Sequence, residues 1–415
     1  MESGKVCKHY VRAFLLALII DTVSVSFCGM VEAADWPNYR GSNYDGISSE
    51  SGWSATWPAN GPKKLWDLSI GAGFATMSVS NGRVYAMGNI DDHDILYCLD
   101  ADTGKEIWKT SYPCPLLNKN HEGGPCATPT VEGDAVYTLS KNGDAIRFNA
   151  ANGDIVWHKH LNRDMGFKHP TWYFSSSSLL VDNLVILNVG TYGVALNKSD
   201  GSLVWQNGKG VCGYTTGVPC TLNGQKCVVM PVSQEVVGLN PTTGKVMWKF
   251  PWKTAYVINS ADTIISDDMV FISSGYNKGC GLYKIDGNKP TKIWQNKNMR
   301  NHINCSVLWK GHIYGFDGQV GGGGSLACID FKTGEEKWSQ KGMGTGSLML
   351  ADDKLIVLGE RGKLVIAEAS PQGFKELASA QILPKTKCWT MPVLANGKIY
   401  ARSAAGDLVC VDVSG

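Results

Sequence analysis

The chain has 415 residues, of which 43% are hydrophobic and 18% are charged, and its formal net charge is +2. This composition is that of a folded globular protein and excludes a disordered chain, and the near-zero charge gives no reason to expect nucleic acid as a partner. Glycine (48 residues) and tryptophan (14 residues) are abundant, which indicates many short strands joined by tight turns.

The first residues of the chain resemble an export signal. Basic residues precede Ala13–Ile20, a short apolar run, and small residues around Ala33 fit a cleavage position. The apolar run is much shorter than the ~20 residues that span a bilayer, so we expect no transmembrane anchor. We therefore predict a signal peptide at residues 1–34, an N-terminal extension at residues 35–62 and an exported protein, periplasmic or extracellular.

A short motif that ends in tryptophan recurs along the rest of the chain. Its first full copy is LDADTGKEIW, which ends at Trp108, and a degenerate last copy ends at Leu377. Successive motif tryptophans lie 42 to 49 residues apart, a period that suits a four-stranded propeller blade. We expect each indole to cover the neighbouring blade and to bury roughly 150–250 Å² of surface. The seven docking tryptophans are Trp66, Trp108, Trp157, Trp205, Trp248, Trp294 and Trp338.

Within one period the pattern is that of strands and hairpin turns. In residues 127–157, alternating apolar runs are separated by Gly133-Asp134, Asn142-Gly143 and Asn152-Gly153. Such pairs supply the positive φ angles that hairpin turns require. Helical periodicity is absent from these segments.

The two ends of the chain supply complementary parts of one blade. Residues 388–415 contain three strands and then stop, whereas the strand at Lys64–Leu68 precedes the first complete blade. Pairing of that strand with the last three would close the ring and remove exposed strand edges. We predict an all-β protein, an eight-bladed β-propeller of four-stranded antiparallel blades over residues 63–415, closed by an N-terminal strand that completes the last blade.

Cysteine and histidine positions argue against a metal site. Cys98, Cys328 and Cys410 occupy the same position in three repeats, where an alternating strand directs them into the core, so we expect buried free thiols there. No Cys-x-x-Cys pair occurs, and no two histidines share a repeat position. We predict that no metal is bound.

The repeat motif resembles the tryptophan-docking motif of pyrroloquinoline quinone (PQQ) propeller repeats. The best match is formed by Asp100, Thr103, Gly104, Lys105 and Trp108. Further segments resemble exported PQQ-binding-like β-propeller repeat proteins of planctomycete-type bacteria. These segments are Asp35–Glu50, Ser273–Ile285, Asn296–His302 and Gly344–Glu376.

The resemblance implies two alternatives for function. Quinoprotein dehydrogenases of this fold hold PQQ with calcium through Glu, Asn and Asp side chains, use an Asp base and often carry a disulfide between adjacent cysteines. This chain has no adjacent cysteines, and no ligand residue of those enzymes can be carried over to a matching motif. The propeller lipoprotein that assists outer-membrane protein assembly has such repeats without a cofactor, which implies a scaffold.

Function must be argued from a site rather than from a fold. In a propeller, the loops that enter the innermost strands meet at one end of the central channel, where a concave site forms. In this chain those loops carry aromatic and hydrogen-bonding side chains, a mixture suited to peptides, sugars or a planar cofactor. The candidate ligand-binding residues are His121, Glu122, Lys168, Trp172, Tyr173, Tyr214, Tyr256, Asn259, Arg300, His302 and Trp389.

Two other motifs are weaker. Gly321–Gly324 lies between strands rather than before a helix, and Ser175–Ser178 shows no nucleophile elbow. We expect no catalytic residue and no bound cofactor. The predicted function is that of an exported, non-catalytic, monomeric scaffold in the cell envelope that binds an envelope protein, a peptide or a glycan. The alternative is a PQQ- and calcium-dependent oxidoreductase with its site at the channel mouth.

Overall fold

The computed structural model describes Met1 and residues 34–415. The predicted signal peptide, apart from its first and last positions, lies outside these described residues. Within them the structure consists of β-strands, and the one helical element is a 3₁₀ turn at Ala255–Val257, too short to cross a membrane. Eight antiparallel four-stranded sheets, one of which gains a short extra strand, confirm the predicted eight-bladed all-β propeller.

The blades are numbered in chain order, and the strands of each blade are lettered a to d from the channel outwards. Blade 1 contains Ser78–Ser80, Arg83–Ile90, His93–Asp100 and Glu106–Pro113. Blade 2 contains Thr130–Glu132, Ala135–Leu139, Asp144–Asn149 and Ile155–His160. Blade 3 contains Leu179–Val181, Leu184–Leu187, Val194–Asn197 and Leu203–Gln206. Blade 4 contains Val218–Leu222, Gln225–Pro231, Glu235–Leu239 and Val246–Pro251.

The second half of the ring repeats the same four-stranded unit. Blade 5 contains Ile264–Ser266, Met269–Ser274, Gly279–Asp286 and Lys289–Asn296. Blade 6 contains Val307–Trp309, His312–Gly318, Gly324–Asp330 and Glu336–Lys341. Blade 7 contains Ser347–Ala351, Lys354–Leu358, Lys363–Glu368 and Glu376–Gln381. Blade 8 contains Val393–Ala395, Lys398–Arg402, Asp407–Asp412 and, as strand d, Lys63–Ser69.

Blade 8 is built from both ends of the described chain. Its strand d, Lys63–Ser69, pairs antiparallel with strand c, and Trp66 lies opposite Cys410. This pairing confirms the predicted closure by an N-terminal strand. The cysteines at the three equivalent repeat positions are buried free thiols, as expected from the strand alternation.

A buried arginine also joins blade 8 to blade 1. Arg402 lies at the end of strand b of blade 8 and is fully buried. Its guanidinium donates hydrogen bonds to the carbonyl oxygens of Gly71 (3.0 Å), Ala75 (3.2 Å) and Met87. A buried charge is tolerated only when its donors are satisfied, and these carbonyls satisfy them. Arg402 therefore fixes blade 1 against blade 8 where the ring closes.

Six of the seven motif tryptophans donate an indole hydrogen bond to the next blade. Trp66 Nε1 donates to Ala101 O and Trp108 Nε1 donates to Ala150 O, both at 3.1 Å. The other four donors are Trp157, Trp205, Trp294 and Trp338. Each acceptor lies in the turn between strands c and d, and in five of the six turns a glycine lets the ring approach; Gly373, in the blade 7 turn, does not contact the indole. At Gly104, φ is +69° and a Cβ atom would lie 2.6 Å from the Trp66 ring.

Trp248 differs because blade 5 lacks the motif turn. Strands c and d of that blade are joined only by Gly287 and Asn288. Within the described residues, Trp248 Nε1 has no hydrogen-bond acceptor. Trp248 instead stacks on Phe250, with ring centroids 6.1 Å apart, and Phe250 stacks on Tyr283 of blade 5 at 3.9 Å. Aromatic stacking takes the place of the indole hydrogen bond at this junction.

The N-terminal extension, residues 35–62, crosses the channel. Trp36 forms a bridge to strand a of blade 1. Arg40 donates to the carbonyl of Ser306 beside blade 6, at 3.0 Å. Ile47–Ser48 pairs in parallel with strand a of blade 7 as the extra strand of that sheet. The extension therefore ties together blades that are not all neighbours in the ring.

The two kinds of tryptophan junction can be compared by mutation. Trp205→Phe removes the donor to Pro241 O, whereas Trp248→Phe removes no hydrogen bond. Because both substitutions remove a similar ring area, we expect Trp205→Phe to lower the free energy of unfolding by about 1 kcal/mol more than Trp248→Phe. Urea unfolding followed by far-ultraviolet circular dichroism measures the difference. Equal losses would contradict a contribution of the indole hydrogen bond to blade docking.

Candidate functional site

The loops that precede strand a of each blade lie around a cavity of about 310 Å³ at one end of the channel. Polar residues of the lining include Thr76, Ser177, Thr216 and Asp262. Aromatic side chains form much of the remaining surface. They are Tyr39, Phe74, Trp172, Tyr214, Tyr276 and Trp389.

Aromatic contacts hold the cavity walls in place. Phe74 stacks on Trp389 with centroids 5.3 Å apart and an interplanar angle of 25°, and His121 meets Phe74 edge-on at 5.2 Å. Elsewhere in the lining, Tyr276 and His302 form a T-shaped pair at 4.8 Å. Such pairs stabilise by roughly 0.5–1.5 kcal/mol beyond the area that they bury. Contacts within the protein therefore hold these aromatic side chains in the cavity walls.

A ring of equivalent side chains encircles the channel. Each blade contributes the residue two positions before its strand a. We call this set the channel ring. It consists of Thr76, Thr128, Ser177, Thr216, Asp262, Cys305, Thr345 and Met391.

Hydrogen bonds connect the channel ring from blade to blade. In blades 1 to 5, the backbone N–H of a ring residue donates to the side chain of the ring residue in the following blade. The bonds are Thr76 to Thr128 (3.3 Å), Thr128 to Ser177 (2.9 Å), Ser177 to Thr216 (3.0 Å), Thr216 to Asp262 (2.9 Å) and Asp262 to Cys305 (3.2 Å). The inner edges of successive blades are thus linked directly.

Asp262 is the one charged member of the channel ring. It is 6% exposed, and the bond from Thr216 N–H uses only its Oδ1 oxygen. Burial raises the pKa of this carboxyl to about 7, and the nearby Arg40 guanidinium opposes that rise. Arg40 forms no ion pair with Asp262 within the described residues. Its guanidinium donates instead to backbone carbonyls of the extension and of the segment before blade 6.

Tyr39 brings the N-terminal extension into the cavity. Its ring is part of the lining, and its hydroxyl lies 3.5 Å from Cys305 Sγ. Burial raises the pKa of Tyr39 well above its ordinary value, so the phenol is neutral. Tyr39 therefore contributes an uncharged side chain of the extension to the cavity lining.

The two histidines of the lining are also neutral. Burial lowers the pKa values of His121 and His302 to about 4. The backbone N–H groups of Gly123 and Val320 donate to the Nδ1 atoms of His121 and His302, at 3.0 and 3.3 Å. Among the described residues that line the cavity, Asp262 is the only one whose side chain can carry a formal charge at neutral pH.

Six of the eleven predicted site residues lie at one of two adjoining cavities. His121, Trp172, Tyr214, His302 and Trp389 line the first cavity. A second cavity of about 380 Å³ shares Tyr214 with it and is bordered by Tyr256. Tyr256 is 68% exposed and meets Tyr276 of the first cavity at 5.2 Å. We call the two cavities and Tyr256 the channel mouth.

The other five predicted residues lie outside the lining of both cavities. They are Glu122, Lys168, Tyr173, Asn259 and Arg300. Glu122 and Arg300 are engaged in ion pairs, with Lys387 and Asp317 respectively, each at 2.8 Å. The Asn259 amide donates to three backbone carbonyls, which commits it to holding its loop.

Sequence reasoning missed the channel ring and Tyr39. The ring leaves a readable signal, because blades 1 to 5 each carry Thr, Ser or Asp two positions before strand a. Alignment of the repeats at their innermost strands, rather than at the tryptophans, would reveal it. Tyr39 lies in the extension, outside the repeats, so no repeat comparison could identify it.

The cavity does not fit PQQ with calcium. Calcium sites in proteins use about 6–8 oxygen ligands, several of them carboxylates. Asp262 is the only carboxylate of the lining, and the described residues contain no group of three or more His, Cys, Asp and Glu side chains placed for a metal. PQQ itself carries carboxylates, and no lysine or arginine of residues 34–415 lines the cavity to bind them. The donor set suits a different ligand.

These features define an eight-bladed propeller of the tryptophan-docking type with an aromatic cavity at one end of its channel. The family model described as outer membrane protein assembly factor BamB matches residues 48–211, 181–340 and 232–415. The chain belongs to this family. The match confirms the predicted membership of the PQQ-type repeat proteins.

Individual relatives are distant in sequence. Outer membrane protein assembly factor BamB of Yersinia pestis is 23% identical over 356 residues, which cover 84% of this chain and 77% of the relative. The crystal structure of BamB from Moraxella catarrhalis has a TM-score of 0.60 at 15% identity and covers 84% of this chain and 97% of its own. Quinohemoprotein alcohol dehydrogenase from Comamonas testosteroni has a TM-score of 0.64 at 15% identity, with 92% and 81% covered. At these identities the solved structures show a shared fold.

The Asp262 environment predicts a pH-dependent contribution to stability. Its pKa of about 7 in the folded protein lies above the ordinary value of 3.8, so its contribution is present below the ordinary value and is lost as pH rises through about 7. Asp262→Asn cannot ionise. We expect the unfolding free energy of the wild type, relative to this variant, to decrease between about pH 4 and pH 7 and then to level off. Chemical denaturation across that range measures it, and a difference independent of pH would contradict the assignment.

Proposed function

We propose that this protein is an exported, non-catalytic scaffold that binds a polypeptide partner in the cell envelope at the channel mouth. The observation that carries the proposal is the concentration of aromatic side chains there, from the exposed Tyr256 to the half-buried stack of Phe74 and Trp389. Tyrosine and tryptophan are the residues that contribute most binding energy at protein interfaces. They provide large contact areas at a low cost in conformational entropy.

The arrangement of the two cavities favours an extended segment. They adjoin at Tyr214, and their volumes of about 310 and 380 Å³ are each at the lower end of the range for ligand sites. An extended chain can place side chains in both while its backbone passes over Tyr256. A single compact ligand would use only one of them.

The chemistry of the lining also agrees with binding rather than catalysis. Acid–base hydrolysis of a glycoside requires a pair of carboxyl groups, and the described lining residues provide only that of Asp262. His121 and His302 are neutral and accept backbone hydrogen bonds at Nδ1. The donor set does not suit PQQ with calcium.

Location in the cell envelope is supported by two separate features. The first is the export-signal pattern of residues 1–34, most of which lies outside the described residues. The second is the family, whose members in Yersinia pestis and Moraxella catarrhalis carry the name BamB, and whose description is outer membrane protein assembly factor. An envelope protein is therefore the partner class that we propose.

Peptide and glycan arrays, probed with labelled protein, test this function. We expect binding to a subset of peptides and not to glycans. Tyr256→Ala and Trp389→Ala should each weaken peptide binding by about tenfold, because truncation of an aromatic anchor typically costs about 1–2 kcal/mol. Trp309→Ala is the matched control, since Trp309 ends strand a of blade 6 at the opposite end of the channel. Glycan binding alone, or equal effects of Trp309→Ala and Trp389→Ala, would refute the proposal.

A further inference from the structure

We propose that the first cavity takes one basic side chain of the bound polypeptide, an ammonium or guanidinium on an aliphatic stem, with the carboxylate of Asp262 as its partner. This inference rests on the proposed function and specifies the chemistry of the segment that binds. It follows from the charge, the hydrogen-bonding state and the aromatic surroundings of Asp262.

Asp262, when ionised, is the one formal charge among the described side chains that line the cavity, and Arg40 lies nearby but outside the lining. The lining contains no lysine, arginine or glutamate from the part of the chain that the structure describes. Lys387, at the rim, is paired with Glu122 at 2.8 Å, so it does not cancel the Asp262 charge. A cationic group that enters the cavity therefore meets the ionised carboxylate directly, and this contact favours a cation over an anion.

One oxygen of the Asp262 carboxylate is also available to a ligand. Oδ1 of Asp262 accepts the Thr216 N–H, and Oδ2 has no hydrogen-bond donor among the described residues. Asp262 is more than nine-tenths buried and borders the cavity. Arg40 leaves it free, because its Nε and Nη2 donate to backbone carbonyls. Because Asp262 lines the cavity, this oxygen can accept a charge-assisted hydrogen bond from a ligand N–H, which is stronger than a hydrogen bond between neutral groups.

The walls suit the rest of a basic side chain. Lysine and arginine carry an apolar stem that packs on hydrophobic surface, and their charged groups bind the faces of aromatic rings. Trp389 already illustrates this at the rim, where Lys387 Nζ lies 4.4 Å from its ring centroid. Inside, Trp172, Tyr214 and Tyr276 offer further aromatic surface. The cavity volume of about 310 Å³ suits one side chain, with the flanking residues of the segment over the second cavity.

The proposed contact depends on pH through Asp262. The groups that face it are Arg40, Tyr39 and Cys305. Burial keeps Tyr39 and Cys305 protonated, and Arg40 stays charged, so these groups do not titrate near neutrality. The lining histidines change charge only near pH 4. Between about pH 5.5 and pH 8, affinity for a basic side chain should therefore rise as Asp262 ionises.

The decisive probes are short, otherwise identical peptides that contain arginine, lysine, citrulline or glutamate at one position, in a sequence selected on the array. Citrulline matches arginine in shape but has no charge. Calorimetric titration of the wild type should show arginine and lysine peptides binding about tenfold more tightly than citrulline, and glutamate more weakly still. The arginine preference should increase from about pH 5.5 to pH 8.

Two variants distinguish the contribution of the Asp262 carboxylate to binding from general effects of a substitution on folding. Asp262→Asn should abolish both the arginine preference over citrulline and its pH dependence. Asp94→Asn is the matched control, because Asp94 is also buried, has a pKa raised to about 6 by burial, and lies outside the cavity lining. That variant should retain the preference. The comparison of arginine with citrulline on the wild type remains decisive even if Asp262→Asn does not fold.

The outcomes distinguish this inference from the proposed function. If peptides bind in a manner sensitive to Trp389→Ala but arginine and citrulline bind equally, the basic-side-chain inference is wrong and the scaffold function stands. If the arginine preference persists in a folded Asp262→Asn protein, the assignment to Asp262 is wrong. If no peptide binds at the channel mouth, both are wrong.

Discussion

The contact of each blade with the next governs this structure. At the outer edge, six indoles each donate to a carbonyl in the turn between strands c and d of the following blade, and Trp248 docks through aromatic stacking. At the inner edge, the channel ring connects blades 1 to 6 through backbone-to-side-chain bonds. Each pair of neighbouring blades from blade 1 to blade 6 is thus connected both at the outer edge, by a tryptophan, and at the inner edge, by a channel-ring hydrogen bond. This fixes the spacing of the loops that enter the strands a, and with it the shape of the channel mouth.

The N-terminal extension breaks the symmetry that the repeats would otherwise impose. It crosses the channel, contacts blades 1, 6 and 7, and brings Tyr39 and Arg40 into the interior. Tyr39 forms part of the cavity lining. Arg40 places a cation near Asp262 but forms no ion pair with it within the described residues. The buried carboxylate keeps an oxygen without a donor as a result. The chemistry of the site thus arises where a non-repeated segment meets a repeated ring.

The repeats made the fold predictable, whereas the site depended on contacts between repeats. Tryptophan spacing predicted eight blades, and the surplus strand at Lys64–Leu68 predicted the closure, because each depends on local sequence. Trp248 shows the limit of prediction from the repeat motif, because its docking depends on Phe250 and on Tyr283 in another blade. Asn259 lies in a loop near the channel mouth, but its amide donates hydrogen bonds to three backbone carbonyls. The positions of those carbonyls cannot be predicted from the sequence.

The central claim is that recognition takes place at the channel mouth. Hydrogen–deuterium exchange of the protein with and without a bound peptide tests it most directly, because it reports on the whole backbone at once. The claim predicts new protection confined to the loops before the strands a, around residues 74–76, 120–126, 172–177, 256–262 and 302–303. Protection concentrated on the outer strands d, or on the hairpins between strands a and b at the opposite end of the channel, would contradict it.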